Sequence, residues 1–129
     1  MADAEPILST LEIVAARCGD PTALIYERLF EAHPQLERLF GMDRDGGVRG
    51  SMVEIAIVCV LDHVGPMLSS PGILLAARQH HEGYGVSDDL FDSFFIAMRD
   101  VFCDILGEDW SPAIDASWRQ MLAEFAAYR

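Results

Sequence analysis

Residues 23–40 read ALIYERLFEAHPQLERLF, and this stretch decides the fold class. Between the prolines of the chain, apolar residues return every three or four positions, which is the period of a helix that buries one face. Asp20-Pro21 ahead of the stretch predicts a helix start, and Pro34 inside it predicts the start of a second, shorter helix. The stretch therefore predicts two consecutive helices, 21–32 and 34–40.

The same punctuation continues along the chain. Ser70-Pro71 and Ser111-Pro112 again join a capping residue to a proline, whose missing N–H costs nothing in the first helical turn. Alternating strand patterns bounded by hairpin turns are absent from the sequence. We therefore predict an all-α domain of about seven helices. Their expected bounds are 6–17, 21–32, 34–40, 48–64, 71–81, 88–107 and 112–128, with the fourth ending at Gly65-Pro66.

Length and charge limit the classes of function. The 129 residues fit one domain, 1–129, with a single core. The 9 Lys and Arg against 21 Asp and Glu give a net charge of −12, which repels nucleic acids and anionic lipids. No apolar run is long enough to span a bilayer, and the first residues are acidic. We therefore expect a cytoplasmic monomer or homodimer with neither nucleic-acid nor membrane partners.

Few side chains stand out as reactive. Cys18, Cys59 and Cys103 lack metal-binding spacing and are predicted to be free, buried thiols. His63, at the end of the fourth predicted helix, is expected at the surface or as a helix cap and not as a ligand. The pair His80-His81 ends the fifth predicted helix, where an imidazolium would complement the helix dipole without any further role.

The stretch 23–40 resembles the second and third helices of the globin family, in particular bacterial single-domain globins and the haem domains of flavohaemoglobins. In that resemblance Tyr26 matches the distal tyrosine, and Phe40 matches the phenylalanine that packs on the haem face. The match extends to Trp118 in the last helix, which we predict to be a core residue. It implies a globin fold that holds haem b, iron protoporphyrin IX, in a single pocket between the fourth and fifth helices.

The resemblance turns the histidine pair into candidates for the iron ligand, because neutral imidazole is a strong donor to haem iron. In the bacterial branch of the family this histidine precedes a valine or isoleucine by five residues, and Val86 then selects His81. Ala77 and Leu74 stand four and seven residues before His81 and form an apolar stripe suited to a porphyrin face. We predict His81 as the ligand, with His80 as the alternative.

The other side of the implied pocket is assigned from Tyr26 and the fourth helix. A phenol at Tyr26 can donate a hydrogen bond to a polar ligand, whereas the alternative is a half-buried tyrosine with its hydroxyl at the surface. The match places Arg49 where the family often has glutamine or histidine, with Val53 one turn deeper. Arg49 would reach a haem propionate, swing over the ligand, or remain solvated at the helix start.

Three functions remain open from the sequence. The first is a haem protein that binds oxygen, nitric oxide or carbon monoxide reversibly; the second is a nitric oxide dioxygenase or weak peroxidase; the third is a haem-free interaction domain. The chain leaves no residues for a flavin domain, so turnover would need a separate reductase. Phe91 replaces the tyrosine of flavohaemoglobins, and Arg129 comes before the position of their last-helix glutamate. Without that carboxylate near the imidazole, we favour reversible gas binding.

Overall fold

The computed structural model describes residues 3–65 and 69–129. Every regular element in these residues is helical, so the prediction of an all-α domain is confirmed, and each predicted helix lies within two residues of its expected bounds. The predicted stop at Pro66 lies outside the described residues. The elements are α1 (Ala4–Arg17), α2 (Thr22–Ala32), a 3-10 helix (Pro34–Phe40), α3 (Gly47–Val64), α4 (Ser70–Glu82), α5 (Asp88–Leu106), a 3-10 turn (Gly107–Asp109) and α6 (Pro112–Ala127).

Helix α5 is the centre of the domain and contacts α1, α2, α4 and α6. Trp118 of α6, which has no exposed surface, lies edge to face against Phe102 of α5 with ring centroids 5.6 Å apart. Its indole N–H donates to the Thr10 hydroxyl of α1 at 3.0 Å. Because a buried indole needs a partner for its N–H, this bond fixes α1 against α5 and α6. The prediction that Trp118 is a core residue is confirmed.

The helix starts agree with the sequence at one predicted cap and differ at another. The Ser111 hydroxyl accepts a hydrogen bond from the Ile114 amide at 3.1 Å, as expected of an N-cap residue. Ser70 is instead the first residue of α4. An Asp62 carboxylate oxygen accepts from the backbone amides of Ser69 and Ser70 at 3.0 and 2.7 Å. A carboxylate is the stronger acceptor at a helix N-terminus, so the end of α3 caps the start of α4.

The prediction that His63 lies at the surface is wrong. The side chain is 1% exposed, and its Nε2 lies 2.9 Å from a carboxylate oxygen of Glu124 on α6. Helical spacing explains the burial, because His63 shares one face of α3 with Ala56 and Cys59, which are both buried. The His63 ring also packs edge to face on Phe125, with centroids 4.9 Å apart.

The cysteines are free, but only one of them is buried. Cys59 is buried, whereas Cys18 and Cys103 are half-buried. Burial raises the pKa of the Cys59 thiol, and the nearby Asp62 charge raises it further. Across residues 3–65 and 69–129, no helix combines the length and the apolar character that a bilayer span requires.

Candidate functional site

His81 lies in the last full turn of α4 and is half-buried. Its Nδ1 lies 2.7 Å from the backbone carbonyl oxygen of Ala77. A carbonyl can only accept, so Nδ1 must carry the proton and donate it in this hydrogen bond. In the neutral imidazole the other ring nitrogen, Nε2, would then hold a lone pair, which is the state that a metal ion binds.

The two adjacent histidines face different surroundings. His80 is exposed, and its ring lies 5.3 Å from that of Tyr84, which is itself 64% exposed. The His81 ring lies 5.3 Å from the ring of Phe91 on α5, at an interplanar angle of 68°. Of the pair, His81 is therefore the one in contact with the interior.

The turn between α4 and α5 directs Val86 inward. The Val86 amide donates to the His81 carbonyl at 3.1 Å, and the side chain is buried. Gly85 adopts a φ of 81°, a value that side-chain-bearing residues rarely take, and this allows the turn between α4 and α5. Val86 thus lies one backbone hydrogen bond away from the candidate ligand.

A row of aromatic rings on α5 connects His81 with Tyr26. Phe91 contacts His81, and Phe94 contacts Tyr26 with ring centroids 5.8 Å apart. Phe95 touches both of these phenylalanines, at 6.0 and 5.3 Å. Since Phe91 and Phe94 are separated by only about 4.5 Å along the helix axis, the candidate ligand and the candidate distal residue lie at adjacent turns of α5.

Tyr26 is buried, with 2% of its surface exposed, which rules out the surface-hydroxyl alternative. Its ring packs edge to face on Phe40 at 5.2 Å, and its hydroxyl donates to the Met52 sulfur at 3.6 Å. Burial raises the pKa of the Tyr26 phenol well above its ordinary value; the charge of Arg49 opposes this rise and that of Asp43 adds to it. The phenol is therefore a protonated donor at neutral pH.

Arg49 is hydrogen-bonded to Asp43, a residue that was not predicted from the sequence to belong to the site. Its Nε donates to a carboxylate oxygen of Asp43 at 3.0 Å, and its Nη2 donates to the Asp43 carbonyl at 2.9 Å. The same carboxylate accepts from the Val48 and Arg49 amides at 3.0 Å each. Burial alone would raise the pKa of Asp43, but these hydrogen bonds and the guanidinium charge lower it.

The sequence did hold a signal for Asp43. Helix α3 begins after Gly46, which has a φ of 75° and no side chain with which to cap the helix. The nearest acids before it, Asp43 and Asp45, were therefore the candidates for a cap. The Asp45 carboxylate accepts from the Gly47 amide at 3.0 Å, and Asp43 accepts from the next two amides.

The apolar residues predicted to line the pocket form one connected cluster. Buried members are contributed by α2, α3, α4 and the turn before α5, and two half-buried phenylalanines pack against them. Ala77 is half-buried beside this cluster. These wall residues are Tyr26, Val53, Leu74, Val86, Phe40 and Phe91.

An open groove of about 1180 Å³ borders only one side of the candidate site. It is lined by α2, the 3-10 helix and the start of α3, and includes Tyr26, Phe40 and Arg49. His81 is not part of its lining. The groove therefore gives solvent access to the Tyr26 side, whereas Val53 and Leu74 are buried and do not line it.

A free imidazole nitrogen, apolar walls and a buried phenol fit the requirements of a haem site. A family model described as globin matches residues 23–128, a range that runs from α2 to the end of α6 and includes every predicted site residue. No curated protein and no solved structure matches the chain significantly.

Proposed function

Because the chain belongs to the globin family, we propose that it binds haem b through His81 and accepts a diatomic gas on the Tyr26 side. The observation that carries this proposal is the 2.7 Å hydrogen bond from His81 Nδ1 to the Ala77 carbonyl, which leaves Nε2 as a donor atom. When bound, haem supplies a redox-active iron with one coordination position for oxygen, nitric oxide or carbon monoxide.

The partner of His81 favours reversible binding over oxygen activation. A carboxylate hydrogen-bonded to the imidazole would increase its donor strength, but His81 donates to a neutral backbone carbonyl. The imidazole is held in one tautomer without gaining anionic character. The residues around His81 therefore support a gas-binding role.

Tyr26 is suited to select among gases. Its hydroxyl is buried, protonated and bonded to the thioether of Met52, which is a weak acceptor. Moving this hydrogen bond to an acceptor with negative charge is favourable, since such bonds contribute about 1.5–3 kcal/mol. Tyr26 should therefore favour oxygen, which draws electron density when bound, over the nearly neutral carbon monoxide.

Arg49 is expected to remain with Asp43. Swinging over the ligand would break the bonds from Nε and Nη2 and leave a buried carboxylate with fewer partners. We assign Arg49 to the border of the groove, where its partly exposed charge could pair with a propionate of a bound haem.

A haem titration tests the proposed function. The purified chain, with haem removed, is titrated with haemin, and the Soret absorbance should rise to a break at about one haem per chain. The reduced protein should then take up and release oxygen without permanent oxidation. A folded, helical protein that stays colourless with ample haem contradicts the proposal. Repeated turnover of nitric oxide and oxygen to nitrate, with a supplied reductant that returns the iron to the ferrous state, would place the chain among the enzymes instead.

A further inference from the structure

Arg78 is a buried cation one turn before His81 on α4. It is 5% exposed, and its Nη2 donates to an Asp92 carboxylate oxygen at 2.5 Å and to the Phe125 carbonyl at 2.8 Å. Its Nη1 lies 3.4 Å from an Asp88 carboxylate oxygen. A buried guanidinium is tolerated only when it is paired in this way. Arg78 thus ties α4 to both α5 and α6.

The same guanidinium lies on the ring of Phe91. Its central carbon is 4.6 Å from the ring centroid, which is the geometry of a cation–π contact. Phe91 in turn packs edge to face on His81, with centroids 5.3 Å apart. Phe91 is therefore in contact with Arg78 as well as with the candidate ligand.

We propose that Arg78 is a positioning residue that fixes the ring plane of His81 by holding Phe91, an inference that rests on the proposed haem-binding role of His81. The hydrogen bond to Ala77 restrains the His81 ring through its Nδ1 atom alone. The Phe91 ring, 5.3 Å away, restricts rotation about the side-chain torsions of His81 from the α5 side. A planar guanidinium is suited to the task, since it stacks on the ring while its edges donate to two helices.

The test compares Arg78→Met and Arg78→Lys with Arg119→Met, whose side chain is 64% exposed and paired within α6. In the haem-loaded ferrous protein, the iron–histidine stretching band should shift or broaden in both Arg78 variants and stay in place in the control. Haem transfer to an acceptor protein should be roughly tenfold faster in Arg78→Met, the low end of the effect of losing an outer partner of a metal ligand. A lower melting temperature with an unchanged band would reduce Arg78 to a structural role and overturn the inference.

A double-mutant cycle tests the route through Phe91. If Arg78 acts through that ring, Arg78→Met should shift the band no further in a Phe91→Leu background, because the two changes remove one interaction. Additive shifts would mean that Arg78 reaches His81 by another route, and the proposed role of Phe91 would be wrong.

A measurement on the haem-free chain separates this inference from the proposed function. The ring protons of His81 should carry a ring-current shift from Phe91 in the NMR spectrum, and Arg78→Met should reduce it. Arg78→Lys gives the same readout if the Met variant does not fold. A parent protein without a Soret band would refute haem binding, whereas His81 shifts that are identical in parent and variants would refute the positioning role.

Discussion

The two sides of the candidate pocket hold their key hydrogen bonds differently. His81 donates to a backbone carbonyl at 2.7 Å, a strong acceptor that cannot move away from its own helix. Tyr26 donates to the Met52 sulfur at 3.6 Å, a weak acceptor on a flexible side chain. The His81 bond to its own helix should therefore persist, whereas the Tyr26 bond to Met52 can be replaced by a bond to a ligand. A gas-binding site needs this division, because the cofactor must stay while the ligand comes and goes.

The largest effect is expected on the His81 side. His81→Ala should abolish stable haem retention, because no second imidazole faces the interior at this point, and free imidazole should restore binding in part. His80→Ala is the matched control and should retain haem, since that ring is exposed beside Tyr84. Absorbance spectra after gel filtration measure the bound fraction. The opposite pattern would make His80 the ligand and shift the register by one residue.

The next effect belongs to the Tyr26 side and should leave haem retention intact. Tyr26→Phe removes a donor to bound oxygen, so oxygen dissociation should become about tenfold to a hundredfold faster. Carbon monoxide dissociation should change little, because that ligand has little charge to accept the bond. Stopped-flow measurements of both gases on parent and variant provide the check. Equal oxygen rates would show that the phenol does not face the ligand.

The helices were predictable because their signals are local. Proline after a capping residue marked the helix starts, and apolar spacing marked the helices between them. The same spacing placed Leu74 and Ala77 behind His81. The apolar spacing also indicated that His63 is buried, because this residue lies one turn after the buried Cys59. The apolar spacing of α3 indicated burial of His63, but its position at the end of the helix was given more importance.

The charge pairs were not predictable for a physical reason. Arg78 pairs with Asp92 and donates to the Phe125 carbonyl, and no local pattern links positions so far apart in the chain. A cation inside a helix normally predicts a solvated face, so burial of Arg78 becomes visible only when α5 and α6 are in place. Asp43 is only six residues from Arg49 in the sequence, but the hydrogen bonds between them depend on the conformation of the turn before α3.

A smaller effect concerns stability at high pH. Burial raises the pKa of Tyr26 above its ordinary value of about 10, so the fold favours the protonated phenol. That contribution is fully present below pH 10 and is lost as pH rises toward the folded-state pKa. Above pH 10 the free energy of unfolding of the parent should fall faster than that of Tyr26→Phe, by up to about 1.4 kcal/mol per pH unit. Tyr84→Phe, at an exposed ring, is the control, and urea unfolding at several pH values measures the slopes. Identical slopes for the two variants would contradict the burial of the phenol.

The smallest effect is expected at Arg49. It tests whether Arg49 contributes to binding the gas ligand beside Tyr26. If Arg49 stays with Asp43, Arg49→Ala should change oxygen dissociation by at most about fivefold, the range of a partly exposed ion pair, and should mainly speed haem loss. Asp43→Asn removes the carboxylate charge that pairs with Arg49 and keeps a side chain of the same shape, so the guanidinium is held less tightly. If the Asp43 contact is what keeps Arg49 away from the ligand, Asp43→Asn should slow oxygen release and Arg49→Ala should not. Equal slowing in both variants would show that loss of the ion pair itself, and not a released guanidinium charge, changes the oxygen rate, which would contradict this role of the Asp43 contact.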